Sequence, residues 1–361
     1  MTGHIAVNAR FLTRPGTGVD RAATELLRAL GARPNAPGIT CYTPNAAVSD
    51  PDDKPTPLLN GIKRSGGIAQ GALWEQVDLP RRWQGDVLLS LCNTGPLMTR
   101  RQVVMIHDAQ VFTQPQSYGR AFRSYYKALL PRLASRAALV LTVSDVSARE
   151  LVRLGIVARD KVQVVPNGGD HLQRTQADGT ALKTHGLEPK SYILALGSLA
   201  PHKNLKRLIA AAEARPKGAV PLVIAGGGDA RVFANSGLKK RANVRVLGRI
   251  SEPVLRALYE GATALAVPSL SEGFGLGALE AMSLGCPVIA STAGALPETC
   301  ANAAILLDPL DTQAWSKAMF QVQIDQALRA ELVEKGRLRA KDLSWARAAQ
   351  ALSVHLDPFL S

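Results

Sequence analysis

The 361-residue chain has few of the features that build membrane spans, disulfide frameworks or zinc sites. Its longest uninterrupted apolar stretches, around residues 137–143 and 263–267, fall far short of the roughly 18 residues that a membrane-spanning helix needs. The four cysteines are scattered without a Cys-x-x-Cys pair, and no secretory signal opens the chain. We therefore expect a cytoplasmic protein with reduced thiols, and we exclude a membrane-spanning protein, a secreted miniprotein and a zinc module.

Acidic residues are also few: the chain has 29 Asp and Glu residues and 43 Lys and Arg residues, which gives a net charge of +14. The basic excess is spread over both halves of the chain. Such a field attracts nucleic acid, an anionic membrane surface and a phosphorylated substrate alike. Since no basic-aromatic recognition motif accompanies the charge, we expect no nucleic-acid partner. A basic nucleic-acid-binding protein is kept as the non-enzyme alternative.

Apolar strands and helical segments alternate along the chain, and the alternation starts twice. The first series of strands is predicted at residues 4–8, 86–91, 102–106, 139–143 and 162–165. The second series is predicted at 192–196, 222–225, 244–247, 264–267 and 288–290. Helices are expected at 20–30 and 120–137, and the Pro-, Asp- and Asn-rich stretch 43–67 is expected to be an irregular insertion. This alternation is typical of βαβ units with parallel sheets.

The predicted domains are residues 1–172 and 173–344, with a C-terminal helix in 345–361. Ligands of open parallel sheets bind beyond the carboxyl ends of the strands. The loops that follow the strands are therefore where functional residues are expected, in a cleft between the two domains.

The most informative loop is Ser271-Glu-Gly-Phe-Gly-Leu-Gly-Ala-Leu-Glu280, which follows the predicted strand 264–267 and leads into a helix. Its glycines let the backbone approach a ligand, and the helix start offers N–H groups to an anion. Glu272 and Glu280 can accept hydrogen bonds from sugar hydroxyls. A glycine-rich helix start with a solvent-facing Glu280 would look the same. The glycine spacing differs from the dinucleotide fingerprint Gly-x-Gly-x-x-Gly, so a nicotinamide enzyme is poorly supported.

Two other loops carry candidate residues. Lys203 lies where a helix begins after the strand 192–196, and an ammonium group there suits a diphosphate. A solvated loop lysine is the alternative. His107 and Asp108 follow the strand 102–106 and could contact a reacting centre. A structural histidine, and an aspartate that caps the next turn, are equally compatible with the sequence.

Taken together, these loops resemble glycosyltransferase family 4, whose members are retaining enzymes of the GT-B fold. The fold implied is α/β, with two Rossmann-like domains facing across a cleft. The resemblance extends from about residue 4 to residue 345. The segments that carry it are Gly197 with Lys203-Asn204, Glu272-Gly-Phe-Gly with Glu280, Ile106-His-Asp with Phe112, Val143-Ser-Asp-Val-Ser147, Val165-Pro-Asn-Gly168, Leu247-Gly-Arg-Ile250, Pro287-Val-Ile-Ala290 and Gly294-Ala-Leu-Pro-Glu298.

The resemblance implies that the second domain binds a nucleotide-diphosphate sugar. Glu272 would hold hydroxyls of the donor sugar, beside the backbone amides of Phe274 and Gly275. The amide of Leu276 would face the diphosphate. Glu280 would bind the ribose hydroxyls.

Further roles follow from the same resemblance. Lys203 would neutralise the diphosphate leaving group, and His107 would lie near the anomeric carbon. Arg249 and Ile250 would line the base pocket. The loop Gly16–Gly18 would approach the diphosphate from the first, acceptor-side domain, and the helix at about 345–359 would return to that domain.

One position departs from the family pattern. Many relatives have an arginine directly after the glycine that corresponds to Gly197, and this chain has Ser198. The missing cation could be replaced by His202 or by an arginine of the first domain, such as Arg14 or Arg21.

A second resemblance, to a bacterial subgroup, rests on Asn93-Thr-Gly-Pro-Leu97 and on residues of the helix 120–137. Members of this subgroup often transfer mannose from GDP-mannose during exopolysaccharide or lipopolysaccharide assembly. Asn93 and Asp108 are the expected acceptor-side residues, and the acceptor is expected to be a glycan or a polyprenyl-diphosphate-linked sugar. A UDP-sugar donor and a nucleotide-sugar epimerase are the alternative functions.

The chemistry and the resemblance both favour catalysis without a metal or other cofactor, because fixed cations and helix dipoles can stabilise a nucleoside diphosphate. Asp50-Pro-Asp52 is the single Asp-x-Asp sequence that could serve a metal, and it lies in the 43–67 insertion.

The helix 120–137 mixes basic and aromatic residues, among them Arg120, Arg123 and Lys127. It could rest on the inner face of an anionic membrane and meet a lipid-linked acceptor. A packed helix with a solvated basic face is the alternative.

Overall fold

The computed structural model describes residues 3–13, 16–44, 63–66, 69–227 and 243–360. Its backbone forms two compact units, the first made of Met1–Gly168 with Trp345–Ser361 and the second of Gly169–Ser344. The expected boundary after residue 172 is thus slightly too late. The reason is local, since Ser283 Oγ donates to the Gly169 carbonyl over 2.9 Å and Gln173 Nε2 donates to the Ser283 carbonyl over 3.0 Å.

The described residues of the first unit form a seven-stranded parallel sheet. Its strands are β1 His4–Asn8, β2 Gly38–Thr43, β3 Lys63–Gly66, β4 Val87–Ser90, β5 Gln102–Met105, β6 Leu139–Thr142 and β7 Val162–Val164. They pair in the order β3-β2-β1-β4-β5-β6-β7. Every residue of β4 and β5 is buried, as expected for central strands of a parallel sheet covered on both faces.

Helices of the first unit connect these strands. They are α1 Gly18–Gly31, α2 Gly71–Leu73, α3 Leu79–Arg82, α4 Gln110–Thr113, α5 Arg120–Arg136 and α6 Asp145–Arg153. A turn of π-helix, Trp74–Asp78, joins α2 to α3. At the start of α1, Thr17 and Asp20 form a capping box that satisfies two backbone N–H groups.

The second unit has a six-stranded parallel sheet. Its strands are β8 Ile193–Leu196, β9 Leu222–Ala225, β10 Val244–Gly248, β11 Ala264–Val267, β12 Val288–Ser291 and β13 Ile305–Leu307, paired in the order β10-β9-β8-β11-β12-β13. The helices in the described residues of this unit are α7 Ala181–Thr184, α8 Leu205–Glu213, α9 Glu252–Gly261, α10 Leu276–Ser283, α11 Leu296–Cys300, α12 Thr312–Ile324 and α13 Gln326–Asp342.

The last helix, α14 Trp345–Leu356, belongs to the first unit. It packs against α1, and Arg33 Nη1 donates to the Ala349 carbonyl over 3.3 Å. Its buried side chains recur at helical spacing, which gives one apolar face: Trp345, Ala348, Ala349, Leu352 and Leu356.

The expectation of an irregular insertion at residues 43–67 is wrong for its end, where Lys63–Gly66 forms strand β3. This strand escapes sequence patterning because it lies at the edge of the sheet and its letters, Lys-Arg-Ser-Gly, contain no apolar residue. Strands β2 and β13 were not predicted either. Asp50-Pro-Asp52 and Arg14 lie outside the described residues.

None of the helices within the described ranges is both long and apolar enough to cross a membrane. The 17-residue helix α5 packs through Leu129, Leu130, Leu133 and Ala134. Its first half is more open, with Phe122 45% exposed and Tyr125 41% exposed.

Candidate active site

The glycine-rich loop of the second unit joins β11 to α10 at the carboxyl edge of the sheet. Gly275 is the residue before the helix and has a φ of +98°, a left-handed conformation that favours glycine. A Cβ atom there would also lie 2.7 Å from Leu296 Cδ2. The first turn of α10, from Leu276, therefore starts with backbone N–H groups that the helix itself cannot pair. Such a start can accept an anion.

Two residues predicted for this site, Lys203 and Glu272, form an ion pair. Lys203 Nζ lies 2.8 Å from Glu272 Oε1, and Ser269 Oγ donates to the same oxygen over 2.6 Å. Burial by itself would raise the pKa of Glu272, but the Lys203 charge and the hydrogen bonds from Lys203 and Ser269 bring the pKa below its ordinary value. Glu272 is therefore an ionised acceptor throughout the neutral range.

Gly294 lies close against the backbone of Glu272. Its φ is +60°, and a Cβ atom there would lie 2.6 Å from both the backbone nitrogen and the carbonyl oxygen of Glu272. The next residue, Ala295, donates its N–H to the same carbonyl over 2.9 Å. The position of the Glu272 loop thus depends on the absence of a side chain at 294.

Lys203 ends a short 3-10 turn, Pro201–Lys203, and the residue after it fixes that turn. Asn204 has a left-handed φ of 55°, and its Nδ2 donates to the carbonyls of Pro268 and Pro309 over 3.0 and 2.8 Å. The Lys203 turn is thereby tied to the loop that follows β11. This explains why Lys203 and Glu272 meet although 68 residues separate them in sequence.

Ser198 occupies the sequence position of the family's missing arginine, and His202 is one of the candidates to replace its charge. Burial and the neighbouring Lys203 charge lower the pKa of His202, although Glu272 acts in the opposite direction. His202 is therefore a neutral side chain near pH 7. Ser198 Oγ accepts the backbone N–H of Ala200 over 3.3 Å. Neither residue supplies the positive charge of an arginine.

Glu280 is buried rather than solvent-facing. Its Oε2 accepts a hydrogen bond from the Tyr259 hydroxyl over 2.8 Å, and its Oε1 lies 3.2 Å from His171 Nε2. Both neighbours are themselves buried. The two groups fix the orientation of the carboxylate at the start of α10. The Arg249 side chain, beyond β10, is exposed and Ile250 is half-buried.

In the first unit, His107 follows β5 and is buried. Its Nε2 lies 2.8 Å from the Leu91 carbonyl, and because a carbonyl can only accept, Nε2 carries the proton. Burial lowers the pKa of His107, and the Leu91 carbonyl and Asp20 offset this only in part. The ring is therefore neutral, with Nδ1 as a hydrogen-bond acceptor.

Asn93 holds the backbone of His107. Its Oδ1 accepts the His107 N–H over 2.7 Å, and Asn93 itself has a left-handed φ of 61°. Asp108 Oδ1 accepts the N–H of Gln110 over 2.9 Å, so this carboxylate does cap the following turn. The backbone at Gly16 and Gly18 lies in open space, with no atom within 4 Å of a Cβ built at either residue.

No group of three or more His, Cys, Asp or Glu residues suited to a metal ion occurs in the part of the chain that the structure describes. None of the four cysteines, all of which lie within the described ranges, forms a disulfide bond. Catalysis without a metal stays a prediction.

The sequence analysis did not assign roles to four residues around the two glutamates: His171, Tyr259, Ser269 and Gly294. Gly294 and Ser269 lie in or beside segments already singled out, and could have been suspected. Tyr259 and His171 carry no sequence signal, because they reach Glu280 only through the packing of α9 and of residues 169–174 on α10.

Comparisons with known proteins agree with this geometry. Residues 16–171 match the family described as Glycosyltransferase Family 4, and residues 181–339 match Glycosyl transferases group 1. The O-antigen chain mannosyltransferase B of Escherichia coli is 32% identical over 262 residues, which are 69% of this chain and 68% of the relative. The O-antigen chain mannosyltransferase RfbU of Salmonella typhimurium is 28% identical over 237 residues, 64% of this chain and 63% of the relative.

The fold has solved counterparts as well. HepE of Anabaena, solved in complex with UDP-glucose, has a TM-score of 0.77 at 17% identity, covering 99% of this chain and 100% of that one. The two α/β units, each with a parallel sheet, have the GT-B fold, and the family matches show that the chain is a glycosyltransferase. More narrowly, the chain belongs to glycosyltransferase family 4 and is similar to bacterial mannosyltransferases. The resemblance seen in the sequence is confirmed.

Proposed function

We propose that this glycosyltransferase moves a hexose, with mannose from GDP-mannose as the best assignment, to a glycan or polyprenyl-diphosphate-linked acceptor during cell-surface polysaccharide synthesis. The observation that carries the proposal is the ion pair of Lys203 and Glu272 beside the open start of α10. Its cation, carboxylate and backbone N–H groups match the diphosphate and hydroxyls of a nucleotide sugar. The similarity to two O-antigen mannosyltransferases supports the choice of mannose and of a polysaccharide product.

Glu272 binds the donor sugar as an ionised acceptor. Hydroxyl groups of the sugar donate to its carboxylate, and the amides of Phe274 and Gly275 lie next to it along the loop. Glu280, which Tyr259 and His171 orient, binds the ribose. Arg249 and Ile250 contact the base.

Lys203 stabilises the nucleoside diphosphate that leaves. The amide of Leu276 and the positive end of α10 add to this stabilisation. Because His202 is neutral and Ser198 carries no charge, we propose that neither replaces the missing arginine and that an arginine of the first domain, such as Arg14 or Arg21, does so. No metal is required for this arrangement.

Transfer proceeds with retention of configuration. The bond between the anomeric carbon and the diphosphate oxygen breaks, and the acceptor hydroxyl oxygen bonds to the same face of that carbon. The acceptor proton passes to the departing phosphate oxygen. Neutral His107 contributes by accepting a hydrogen bond at Nδ1 near the reacting centre, and Asn93 holds its backbone in place.

Helix α5 brings the enzyme to an anionic membrane surface, where a lipid-linked acceptor is available. Arg120 and Lys127 are exposed in its N-terminal half, and Lys127 lies over the ring of Phe112. About 1 kcal/mol of attraction is expected for each such cation near an anionic surface. The enzyme would then be a peripheral protein of the inner membrane face.

The first experiment is calorimetric titration with GDP, UDP, ADP and the corresponding sugar nucleotides, with and without EDTA. We expect saturable binding of one nucleoside diphosphate, with unchanged affinity in EDTA. Selective UDP binding would replace the GDP-mannose assignment, and turnover of the sugar nucleotide without an acceptor would indicate an epimerase. Binding of none of them would refute the proposal.

A further inference from the structure

A buried carboxylate in the first unit takes no part in the donor site. Glu75, on the π-helical turn Trp74–Asp78, is fully buried. Its Oε1 accepts hydrogen bonds from Asn8 Nδ2 and Thr94 Oγ1, each over 2.8 Å, and its Oε2 faces Arg10 Nη1 at 3.2 Å. Turns of π-helix are rare and often mark functional sites.

The network lies at the carboxyl edge of the first sheet. Asn8 is the last residue of β1, and Thr94 follows β4 closely in sequence. Asn8 Nδ2 also lies 3.4 Å from Oγ of Ser90, the last residue of β4. Glu75 therefore connects the ends of two adjacent strands at the edge where α/β proteins bind their ligands.

Fold stability does not by itself explain an ion pair in this place. Removing two charges from water is costly, and well-packed apolar side chains are often at least as stable as a buried ion pair. The pair does restrict the orientation of the Arg10 side chain. Glu75 and Thr94, whose Oγ1 accepts from Arg10 Nη2 over 3.3 Å, fix the guanidinium of Arg10 in one orientation.

Arg10 is where this network reaches the surface. Its side chain is 18% exposed, whereas that of Glu75 is not exposed. Of its five side-chain N–H groups, the described residues Glu75 and Thr94 occupy two, which leaves donors for a ligand.

Tyr125 of α5 lies within electrostatic reach of both charges. Burial of the hydroxyl and the Glu75 charge raise the pKa of Tyr125, and Arg10 opposes this. The phenol therefore remains a protonated donor, its ring lies edge-on to Tyr126 at 5.5 Å between centroids, and the residue is 41% exposed.

The charge of this cluster selects the class of ligand. Glu75 neutralises Arg10, so the cluster offers the fixed hydrogen-bond donors of the guanidinium, with Tyr125 within electrostatic reach, rather than a net positive charge. A phosphate would favour an unpaired cation. A sugar ring, with hydroxyls at its rim and C–H groups on its face, fits the donors and the ring.

We propose that Arg10 and Tyr125 bind a sugar ring of the acceptor, and that Glu75, with Asn8 and Thr94, is the positioning group that orients Arg10. This assignment rests on the proposed function, because it supplies the acceptor for the glycosyl transfer. It adds a sugar site in the first unit that involves none of the residues assigned to the donor.

The test is ligand-observed saturation-transfer NMR on the full chain, with a panel of methyl glycosides of mannose, glucose, galactose and N-acetylglucosamine as probes. The wild-type protein should show transfer to at least one glycoside. Tyr125→Ala and Arg10→Lys should each reduce the signal or weaken binding by about tenfold, the value of one good hydrogen bond to a charged group. Arg10→Lys keeps the positive charge beside Glu75, so the protein should still fold.

Matched controls separate binding from general effects. Phe122→Ala removes an equally exposed aromatic side chain from the same helix, and Arg82→Lys alters an arginine in a surface pair with Asp78. Both should leave glycoside binding unchanged. Affinity for the nucleoside diphosphate, measured by calorimetry, should be the same in all four variants. With the bound glycoside as acceptor, Tyr125→Ala should raise the acceptor KM and leave the donor KM unchanged.

Two failures can be told apart. If the wild-type protein binds a nucleoside diphosphate but shows no transfer to any glycoside, or if Tyr125→Ala and Arg10→Lys bind glycoside as the wild type does, the acceptor-sugar assignment is wrong and the proposed function stands. If the wild type binds no nucleoside diphosphate, the proposed function fails, and this assignment fails with it.

Discussion

At the scale of single residues, the Lys203–Glu272 pair combines two requirements of a transferase. Lys203 keeps Glu272 ionised although the carboxylate is partly shielded from water, and in the proposed function the same cation would stabilise the leaving diphosphate. In the proposed function, sugar hydroxyls would take the place of Lys203 at the carboxylate, and its ammonium group would then bind the phosphates. The ion pair of the unliganded protein would be the resting arrangement of these two groups.

The pair gives a pH-dependent stability. Because the folded-state pKa of Glu272 is depressed, its stabilisation is present above the unfolded pKa of about 4.3 and is lost as the pH falls through the folded pKa. Lys203→Met leaves a shielded carboxylate without its cation. At pH 7 we expect the free energy of unfolding to fall by about 1–3 kcal/mol, measured by urea denaturation.

The difference between Lys203→Met and the wild type should shrink in acid, where Glu272 is protonated in both. Lys206→Met, at an exposed position three residues later, is the control and should change little at any pH. A loss of stability in Lys203→Met that is constant from pH 7 to pH 3.5 would contradict the ion-pair explanation.

Glu280 gives a second prediction at this scale. Tyr259→Phe removes the hydroxyl that donates to Glu280 Oε2, so the carboxylate loses one of the two groups that orient it. We expect nucleoside diphosphate affinity to fall about fivefold to tenfold by calorimetry, with a stability loss of about 1 kcal/mol.

A second buried tyrosine of the same unit is the control. The Tyr192 hydroxyl donates to the Leu258 carbonyl over 2.7 Å and has no contact with Glu280 among the bonds described. Tyr192→Phe should lose similar stability and keep full nucleotide affinity. Equal affinities in the two variants would mean that Glu280 does not need Tyr259.

At the scale of elements, the loop between β11 and α10 depends on a neighbouring element, the turn between β12 and α11. Gly294→Ala places a methyl group against the backbone of Glu272 and demands a left-handed alanine. The loop must shift, and donor affinity should fall by at least tenfold in calorimetry.

The control for Gly294→Ala is Gly218→Ala. Gly218 also has a positive φ, +88°, but a Cβ atom there has no neighbour within 4 Å. Both variants should lose about 1–2 kcal/mol of stability from the left-handed alanine. Donor affinity should fall in Gly294→Ala alone, and its retention there would show that the loop tolerates displacement.

The elements also show how far sequence reasoning reaches. Central strands such as Ile193–Leu196 and Ala264–Val267 are short apolar runs bounded by polar loops, and their positions were predicted to within a residue. The edge strand Lys63–Gly66 was not, since an edge strand needs no apolar pattern. In the site, motif spacing located Lys203 and Glu272 but not Tyr259, because the contact between Tyr259 and Glu280 depends on how α9 packs against α10.

At the scale of the whole molecule, the basic excess that gives the net charge of +14 is spread over both units and attracts any anionic partner. A general field and a specific docking helix make different predictions. If the general field causes binding, the loss of membrane affinity depends on how many basic residues are replaced. If a docking helix causes it, the loss depends on which basic residues are replaced.

The membrane proposal can therefore be tested at constant net charge. Replacing Arg120, Arg123 and Lys127 of α5 with Gln should weaken binding to vesicles of 30% phosphatidylserine about 100-fold, at about 1 kcal/mol for each cation. The matched variant replaces three exposed basic residues of the second unit, Lys317, Arg337 and Lys341, with Gln. Vesicle co-sedimentation at 50 and 150 mM salt measures the affinity of both variants.

If the two triple variants lose the same affinity, the attraction is that of the whole molecule and α5 is not a docking element. If only the α5 variant loses it, while nucleoside diphosphate binding is unchanged, the helix directs the enzyme to the surface where a lipid-linked acceptor resides.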